Sequence, residues 1–483
     1  MNLADRLRDP VFRLVGETAD EMNREVYVVG GFVRDIFLNR DSKDYDFVTV
    51  GSGLELAEII TRKLGKKAVL SLFPSYGTAQ VKCNRQELEF VGARKESYSK
   101  DSRNPIVEDG TLEEDMKRRD FTVNAMAISL NKDSFGELLD PFNGIEDLKE
   151  GVLRTPLDPD TTFSDDPLRM LRAIRFCTQL QSLSFLEEKS KTLFFKIEDK
   201  TFEAIYRNAS RMEIISRERI NEELNKIMSS IRPSVGWKLL DKSGLLPYVF
   251  PALIPLKGIE MKEGIGHKDN FFHTLQVVDN VAQRSDNLWL RWAALLHDIA
   301  KPETKRFDTT LGWTFHNHNF IGQKKIPRIF REMKMPLNEK MKYVAKLVGL
   351  HMRPQSVGEQ GVSDSAVRRM LTEAGTDIED LMILAESDIT SKQPNKVRRQ
   401  LEGFAKLRER MEEIKDADAF RNWKNPINGN EIIEKLNIPP GPEIAELKDK
   451  IRDAIMEGII PYDHDAAWKY LLTIVPHAQQ ATD

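Results

Sequence analysis

The sequence predicts an α+β protein in which a small mixed-sheet head is followed by a long all-helical region. Three observations support this fold class. Apolar β-branched runs are confined to about the first 150 residues, helical periodicity dominates from Pro156 onward, and a Gly-rich stretch at 256–270 divides the helices into two blocks. The chain has 483 residues, which is enough for about three domains and a large buried core.

Composition and charge narrow the class of protein. Hydrophobic residues make up 40% and charged residues 31%, which is typical of a folded, soluble protein. The 72 Lys and Arg against 76 Asp and Glu exclude a uniformly basic nucleic-acid coat, but not a local basic groove. The only cysteines are Cys83 and Cys177, which excludes a disulfide framework or a cysteine-based zinc finger. The charged first residues and the lack of any apolar run of ~18 residues predict a cytoplasmic protein with no membrane partner.

Short apolar runs predict the strands of the head. They are VYVVGG (26–31), DYDFVTVG (44–51), TAQVKC (78–83), LEFVGA (88–93) and NAMAISL (124–130). Between the second and third of these runs, LELAEIITRKLG (54–65) predicts a helix that ends at Gly65.

Helical spacing and capping residues predict the elements that follow. The segment at 164–180 has Ser164 as a plausible N-cap and Pro167 near its start, and the segment at 216–230 has Ser216 in the capping position. A second helical block begins at 275–301, and 398–420 predicts a charged helix.

The segment VVGGFVRD (28–35) places two glycines directly after an apolar strand. Glycine lets a backbone approach a triphosphate closely, and a following helix N-terminus offers N–H donors. Gly30, Gly31 and Arg34 are therefore candidate nucleotide-binding residues. A plain tight turn is the alternative interpretation of a glycine pair alone.

The segment DYDF (44–47) strengthens this interpretation. Residues two apart in a strand share a face, so Asp44 and Asp46 project to the same side. Two carboxylates so close repel each other unless a cation lies between them, and Mg²⁺ suits carboxylate and phosphate oxygens. Glu89, on a later predicted strand, is a candidate third carboxylate. A solvent-facing alternation of polar residues is the alternative.

Two further segments carry candidate nucleotide-binding groups. In EEDMKRRDFTVNAMA (113–127), a pair of arginines suits bidentate binding of triphosphate oxygens. In DDPLRMLRAIRF (165–176), an aspartate and arginines recur every three residues, so they can clamp phosphates or present hydrogen-bonding atoms to a base edge. A salt-bridged surface helix is the alternative for the second segment. The candidates are Arg118, Arg119, Asp120, Asn124, Asp166, Arg169, Arg172 and Arg175.

Taken together, the segments GGFVRD, DYD, RRDFTVNAMA, DPFNGIEDL (140–148), DDPLRMLRAIRF and SRERINEEL resemble the bacterial CCA-adding tRNA nucleotidyltransferases and poly(A) polymerases. These are class II members of the polymerase-β-like nucleotidyltransferase superfamily. The resemblance spans roughly residues 26–230, and the order of the motifs makes it specific. It implies a polymerase-β-like head that carries the metal site, followed by a helical neck, body and tail.

The resemblance also implies roles for individual residues. Asp44 and Asp46 would hold Mg²⁺, Gly31, Arg34 and Arg119 would contact the triphosphate, and Asp166 and Arg169 would pair with the base of ATP or CTP. Arg172 and Arg175 match further nucleotide-binding arginines. Asp165-Asp166 stands where the family usually has Glu-Asp, but the pairing aspartate is kept. Glu218 and Arg219 match a motif that supports the neck, which implies a structural role.

An ordered series of histidines and aspartates predicts a second metal site. Imidazole and carboxylate together suit divalent transition metals. The segments FFHTLQVVDNV, ALLHDIAKPETK, FHNHNFIG, VGLHMRP and ESDITSK resemble the HD phosphohydrolase domain over roughly 265–395. The resemblance implies a core metal site of four residues and two further histidines that are found in the HD domains that bind two metals. It also implies Mn²⁺, Ni²⁺ or Co²⁺ as the ion. The residues concerned are His273, His297, Asp298 and Asp388, and then His318 and His351. Lys301 could contact phosphate, and a degenerate structural HD fold is the alternative.

The sequence thus predicts an enzyme with tRNA, ATP and CTP as partners and four parts. They are a nucleotidyltransferase head at 1–150, a helical neck and RNA- and nucleotide-binding region at 151–255, an HD-type domain at 256–400, and a helical tail at 401–483. CCA addition with HD phosphohydrolysis is the expected function. The alternatives are a poly(A) polymerase, a CC-only or A-only enzyme, and a nucleotide phosphohydrolase with a regulatory head.

Overall fold

The computed structural model describes most of the chain. The described residues are 1–42, 44–84, 86–97, 106–180, 182–184, 191–193, 195–359, 363–391, 393–421, 425–456 and 459–475. The chain divides into two compact units, of which the first comprises Met1–Glu359 with Thr372–Phe404 and the second Gln360–Leu371 with Ala405–Asp483. Within the described ranges, no helix has the length and apolar character needed to cross a membrane.

The head in the first unit is built on a seven-stranded mixed sheet. Its elements are α1 (Pro10–Glu21), β1 (Val26–Val29), α2 (Gly31–Phe37), β2 (Asp44–Thr49), α3 (Gly53–Leu64), β3 (Val69–Phe73), β4 (Thr78–Cys83), β5 (Gln86–Gly92), β6 (Arg94–Ser97), β7 (Ile106–Asp109), α4 (Leu112–Lys117), β8 (Ala127–Ser129), β9 (Leu138–Leu139), α5 (Gly144–Glu150) and β10 (Val152–Leu153). The strand order is β3-β4-β5-β2-β1-β8-β9, and β2 and β5 are its parallel pair.

The local sequence explains the ends of the head helices. The Asp9 side chain caps α1 by accepting a hydrogen bond from the backbone N–H of Val11. The Ser52 side chain caps α3, which ends at Gly65 with a φ of 75° as the sequence predicts. These caps fix the start of α1 and both ends of α3.

All five predicted strands of the head are present, but only one has the predicted bounds, and several further strands were not predicted. β4 has the predicted bounds, but the strand expected over 124–130 is only Ala127–Ser129, because Thr122–Asn124 form a 3₁₀ turn. β3 was not predicted. It is largely exposed and lies at the edge of the sheet, where an alternating burial signal is weak.

The chain from α6 to α20 is helical and is interrupted by short strand pairs; α18 and α20 each cross the boundary between the two units. The elements are α6 (Pro159–Asp165), α7 (Leu168–Gln179), β11 (Ser182–Ser184), β12 (Lys191–Leu193), β13 (Lys196–Ile197), α8 (Asp199–Asn208), α9 (Arg217–Met228), α10 (Pro233–Lys242), α11 (Leu246–Val249), β14 (Met261–Lys262), β15 (Ile265–Gly266), α12 (Asn270–Ala282), α13 (Leu288–Leu296), α14 (Lys301–Thr304), β16 (Arg306–Asp308), β17 (Gly312–Thr314), α15 (His318–Glu332), α16 (Glu339–Leu350), α17 (Arg353–Glu359), α18 (Asp364–Ala374), α19 (Ile378–Ser387) and α20 (Pro394–Arg421).

The prediction of one helix starting from a Ser164 cap is wrong. Ser164 lies in the last turn of α6, and α7 begins only at Leu168. The break comes from Pro167, which disfavours helical backbone at the residue before it, and Asp166 accordingly has φ −134° and ψ 97°. Ser216 does occupy the N-cap position of α9, but its side chain makes no capping hydrogen bond.

An aromatic cluster joins the two helical blocks within the first unit. Trp237 of α10 packs edge-on against Phe250 and Trp292, with ring centroids 5.6 Å and 6.1 Å apart. Both tryptophans are fully buried. Burial of side chains this large holds α13, which leads to His297, against the neck helices.

Besides the parts of α18 and α20 that fall within its bounds, the second unit contains the last three helices, α21 (Gly429–Leu436), α22 (Pro442–Met456) and α23 (His464–Ile474). They pack around a small core of buried aliphatic residues, which includes Ile432, Ile451 and Leu471. The end of the predicted tail, at 476–483, lies outside the described residues.

Candidate active sites

Two predicted metal-binding carboxylates lie side by side on the parallel strands of the head. The register pairs Asp46 of β2 with Glu89 of β5, and both side chains line a cleft of about 530 Å³. Burial raises the pKa of Asp46, and the neighbouring Asp44 raises it further, whereas Arg119 opposes the shift. Burial also raises the pKa of Glu89, and Asp46 adds to that shift. Both carboxylates would therefore gain from a bound cation.

The predicted pair Asp44 and Asp46 shares a strand but not an environment. Asp44 is exposed at the first position of β2 and lines a separate depression with Lys82 and Glu87. Among the described residues, neither cluster of three or more potential metal ligands includes a carboxylate of the head. The donor set still fits Mg²⁺, which is commonly held by one or two carboxylates together with substrate phosphate oxygens.

The structure brings all of the predicted nucleotide-binding residues to the cleft that contains Asp46. Glycine is required at one of them, because Gly30 has a φ of 71° and a Cβ there would lie 3.2 Å from Nη1 of Arg119 and 3.3 Å from Oδ2 of Asp46. The full set is Gly30, Gly31, Arg34, Arg118, Arg119, Asp120, Asn124, Asp166, Arg169, Arg172 and Arg175.

Buried carboxylates hold the arginines of the cleft in place. Asp115 is fully buried and accepts hydrogen bonds from Nε of Arg118 at 3.0 Å and from Nη2 of Arg119 at 2.9 Å. Burial would raise the pKa of Asp115, but the two guanidinium groups outweigh it and lower the pKa. The two arginines are thus positioned before any ligand arrives.

Asp120 and Asn124 connect arginines from two elements. Nη1 of Arg34 donates to Oδ1 of Asn124 at 2.8 Å, Nδ2 of Asn124 donates to Asp120 at 3.0 Å, and Nε of Arg172 donates to Asp120 at 2.8 Å. Burial would raise the pKa of Asp120, but Arg172 and Asn124 lower it to about 2. These contacts make Asp120 and Asn124 positioning groups in the wall of the cleft.

Three guanidinium groups surround the ring of Phe176 in α7. The Cζ atoms of Arg34, Arg172 and Arg175 lie 5.3 Å, 5.4 Å and 4.3 Å from its centroid. Nη1 of Arg175 also lies 3.2 Å from the buried Glu223. Burial and the nearby Arg172 together lower the pKa of Arg175 to about 10, although Glu223 opposes the shift. Like charges held this closely favour the binding of an anion.

Asp166 and Arg169 lie at the break before α7. Oδ1 of Asp166 accepts a hydrogen bond from the N–H of Leu168 at 3.1 Å. Nη2 of Arg169 donates to the carbonyl oxygen of Arg118 at 2.6 Å, which ties α7 to the head. Because Asp166 precedes the helix, it does not continue the helical face of the arginines, contrary to the prediction.

Two arginines on the cleft wall were not predicted as site residues. Arg94 begins β6 and Arg219 lies in the first turn of α9, and both line the cleft. Arg219 was assigned a structural role by its motif. Its position three residues after Ser216 carries no local signal that would have placed it at the cleft.

The predicted histidine and aspartate series also converges. Asp298 lies close to histidines of both groups of potential metal ligands. Its Oδ2 is 3.4 Å from Nε2 of His273 and 3.2 Å from Nε2 of His297, and its Oδ1 is 3.4 Å from Nε2 of His318. The described residues thereby contain two clusters whose donor atoms lie within 4.8 Å of one another. These are His273, His297 and Asp388, and then Asp298, His318 and His351.

The hydrogen bonds of the imidazoles prepare them for metal binding. The Nδ1 atoms of His297, His318 and His351 each lie 2.7 Å from a backbone carbonyl oxygen. A carbonyl only accepts, so each Nδ1 carries a proton, and each Nε2 faces the cluster as the atom that would bind a metal once it is deprotonated. Nδ1 of His273 instead lies 2.8 Å from the hydroxyl of Thr390.

The cluster has the features of a metal site rather than of a structural network. Nε2 of His297 and Oδ1 of Asp298 are buried and make no hydrogen bond of good geometry among the described residues, although Nε2 of His297 lies 3.2 Å from Oδ2 of Asp298. Desolvation opposes charge on His297, but Asp298 and Asp388 raise its pKa to about 10. Burial and the proximity of His297 lower the pKa of His351 to about 3. Nitrogen and carboxylate donors in this arrangement fit a divalent transition ion.

Comparisons with known proteins match both regions. Residues 26–154 match the poly A polymerase head domain, 194–256 match a probable RNA and SrmB-binding site of polymerase A, and 270–391 match the HD domain. The chain is 34% identical over 322 residues to the multifunctional CCA protein of Vibrio parahaemolyticus, which covers 65% of this chain and 71% of that protein.

A second relative has a narrower name. The chain is 38% identical over 241 residues to the A-adding tRNA nucleotidyltransferase of Aquifex aeolicus. That alignment covers 45% of this chain but only 29% of that protein. The two relatives are thus named for different nucleotides, one for A and the other for CCA.

Solved structures share the fold. A tRNA nucleotidyltransferase complexed with a primer tRNA and an incoming ATP analog is 26% identical, with a TM-score of 0.55 and coverage of 82% of this chain and 98% of that chain. The Thermotoga maritima CCA-adding enzyme complexed with tRNA is 22% identical, with a TM-score of 0.57 and coverage of 96% and 95%, which supports the fold.

Proposed function

The chain belongs to the family of CCA-adding tRNA nucleotidyltransferases and poly(A) polymerases, and on that premise we propose that it adds CTP and ATP to the 3′ end of tRNA without a template, in the cytoplasm. One observation carries this proposal. A single cleft combines the carboxylates of Asp46 and Glu89 on adjacent strands with the preorganised arginines. Binding of RNA alone would need no such carboxylates.

Each part of the cleft has a distinct task in this proposal. Asp46, with Asp44 two residues before it on β2, would hold Mg²⁺ against the triphosphate, and the ion would neutralise the charge of the departing pyrophosphate. Arg34 and Arg119 would bind phosphate oxygens. Asp166 and Arg169 would present an acceptor and donors to the edge of the incoming base, so that the protein itself selects C or A.

Addition of A alone is the second candidate, because of the similarity to the A-adding enzyme of Aquifex aeolicus. The test is to incubate the purified protein with tRNA that lacks CCA and with tRNA that ends in CC, offering each labelled nucleotide separately. CCA addition requires CMP incorporation into the first RNA and AMP incorporation into the second. AMP incorporation only into the second would establish A addition, and a long A tail would establish a poly(A) polymerase.

We also propose that the cluster around Asp298 holds a divalent transition metal such as Mn²⁺, Ni²⁺ or Co²⁺ and hydrolyses phosphate esters. The observation behind this is the buried orphaned pair, Nε2 of His297 and Oδ1 of Asp298. A bound ion would supply Lewis-acid activation of the phosphate. Elemental analysis of the purified protein, with assays on 2′,3′-cyclic nucleotides and RNA 3′-phosphates across several metals, tests the proposal. The absence of both bound metal and hydrolysis would leave the domain structural.

A further inference from the structure

The cavity in front of the Asp298 cluster contains more positive charge than the cluster explains. It has a volume of about 440 Å³ and is lined by Lys268, Lys301 and Lys396. Nζ of Lys301 lies 2.6 Å from Oδ2 of Asp298, so its charge is already balanced. Among the described residues, neither Lys268 nor Lys396 has a carboxylate partner of this kind.

The two remaining lysines, Lys268 and Lys396, both line this cavity. Nζ of Lys268 donates to the hydroxyl of Thr390 at 3.2 Å, and that hydroxyl lies 2.8 Å from Nδ1 of His273. Lys396 lies in the first turn of α20. Burial lowers the pKa of Lys268, Asp388 and Asp298 oppose that shift, and Lys301 and Lys396 add to it by repulsion. Two ammonium groups in one cavity, neither of them in an ion pair within 4 Å in the part of the chain that the structure describes, favour a bound anion.

An aromatic wall lies in the same cavity. Trp313 and Phe315 line it, and the indole N–H of Trp313 donates to the carbonyl oxygen of Ile265 at 3.0 Å. The ring of His267 packs edge-on against Trp313, with the centroids 5.3 Å apart. A fixed aromatic surface of this kind suits the face of a nucleobase.

We propose that Lys268 and Lys396 bind a second phosphate group of the ligand, so that this cavity selects a nucleotide phosphorylated on both sides of its ribose. One phosphate would lie at the Asp298 cluster and the other between the two lysines. Both a free nucleoside 3′,5′-bisphosphate and the last nucleotide of an RNA that ends in a 3′-phosphate have this chemistry. The inference rests on the proposed hydrolase function for the position of the first phosphate, but the lysine pair can be tested without catalysis.

The test compares the affinities of metal-free protein for adenosine 3′-phosphate and adenosine 3′,5′-bisphosphate by titration calorimetry. Each lysine–phosphate contact is a charge-assisted hydrogen bond, so the wild-type protein should bind the bisphosphate about tenfold more tightly. The double variant Lys268→Ala/Lys396→Ala should lose this gain in preference. Because the head cleft is the same in both proteins, the difference between them reports the contribution of the two lysines.

Lys305→Ala is the matched control. Lys305 lies near the cavity, with Nζ 5.5 Å from the ring centroid of Trp313, but its charge is paired with Glu260 at 2.6 Å. This variant should keep the wild-type preference. A short RNA that ends in a 3′-phosphate distinguishes the two ligand sources. Lysine-dependent binding of that RNA identifies RNA ends, and its absence identifies the free bisphosphate.

The outcomes separate this inference from the hydrolase proposal. No preference for the bisphosphate in the wild-type protein, or a preference that is equally large in the double variant, overturns the lysine site even if hydrolysis is observed. A lysine-dependent preference without hydrolysis by any metal-loaded form supports the lysine site and refutes the hydrolase.

Discussion

At the scale of single residues, the two glycines after β1 have different requirements. Gly30 combines a φ of 71° with a ψ of −129°, whereas a Cβ at Gly31 would make only an ordinary contact of 3.6 Å with Arg34. We expect Gly30→Ala to lower the free energy of unfolding by about 1–2 kcal/mol because a side chain disfavours this backbone region. Gly31→Ala, the control, should change it by much less. Urea denaturation of both variants checks this, and equal losses would contradict the account.

Asp120 provides a residue-scale prediction about pH. Its pKa in the folded protein is about 2, below the usual 3.8, so its stabilising contribution is fully present above about pH 4 and is lost as the pH falls toward 2. We expect Asp120→Asn to lower the free energy of unfolding at pH 7 by on the order of 2 kcal/mol. The difference from wild type should shrink below pH 4. A difference that stays constant from pH 7 to pH 3 would show that the charge on Asp120 is not what stabilises the wall.

The sequence predicts which residues belong to the site more reliably than how buried each of them is. The shared face of Asp44 and Asp46 follows from strand geometry, but the first position of β2 is exposed and the third is partly buried. Arg219 of α9 lines the same cleft as Asp46, although the two residues are about 170 positions apart in the chain. Local periodicity carries no information on such distant packing.

At the scale of elements, the break between α6 and α7 determines where Asp166 lies. Pro167 keeps Asp166 in extended backbone. We expect Pro167→Ala to let α6 and α7 merge, which would move the Asp166 carboxylate and relax nucleotide choice about tenfold or more, as for the loss of one base contact. Misincorporation of UTP and GTP into tRNA measures this effect.

A second proline provides the control for that experiment. Pro159 begins α6, where it only favours the first helical turn, so Pro159→Ala should leave nucleotide choice unchanged. Relaxed choice in both variants, or in neither, would show that the helix break does not position the base-reading pair.

The elements themselves show what a sequence can predict. The run at 78–83 has the predicted bounds, whereas the strands predicted over 26–31 and 44–51 end two residues earlier, before their glycines. The helix predicted over 164–180 is wrong because the capping pattern around Ser164 outweighed the effect of Pro167 on the residue before it. The edge strand β3 was missed because it is exposed on much of its surface.

At the scale of the whole molecule, one chain contains two separate candidate sites. The six predicted residues of the second site come from segments dispersed between His273 and Asp388, yet the structure gathers them. Their grouping could be predicted because the order of the motifs matches that of a known domain, whereas hydrophobic periodicity says nothing about which distant residues meet. The predicted boundaries of neck, HD domain and tail stay predictions, since the compact units divide the chain at other positions.

The two sites should be separable by single substitutions. His297→Ala removes a proposed ligand of the Asp298 cluster, so we expect loss of bound transition metal and of hydrolysis while nucleotide addition continues. Asp46→Ala should do the reverse. Glu58→Ala, an exposed carboxylate on α3, is the control and should retain both activities.

The most direct measurement of the central claim is the rate of CMP and AMP incorporation into tRNA lacking its 3′ CCA, with Mg²⁺, for the wild-type protein, Asp46→Ala and Glu58→Ala. Because the ion held by Asp46 would supply several kcal/mol of transition-state stabilisation, we expect Asp46→Ala to be slower by about a thousandfold or more, with Glu58→Ala near the wild-type rate. Incorporation by Asp46→Ala at a near-normal rate would contradict the assignment of the cleft as the site of nucleotide addition.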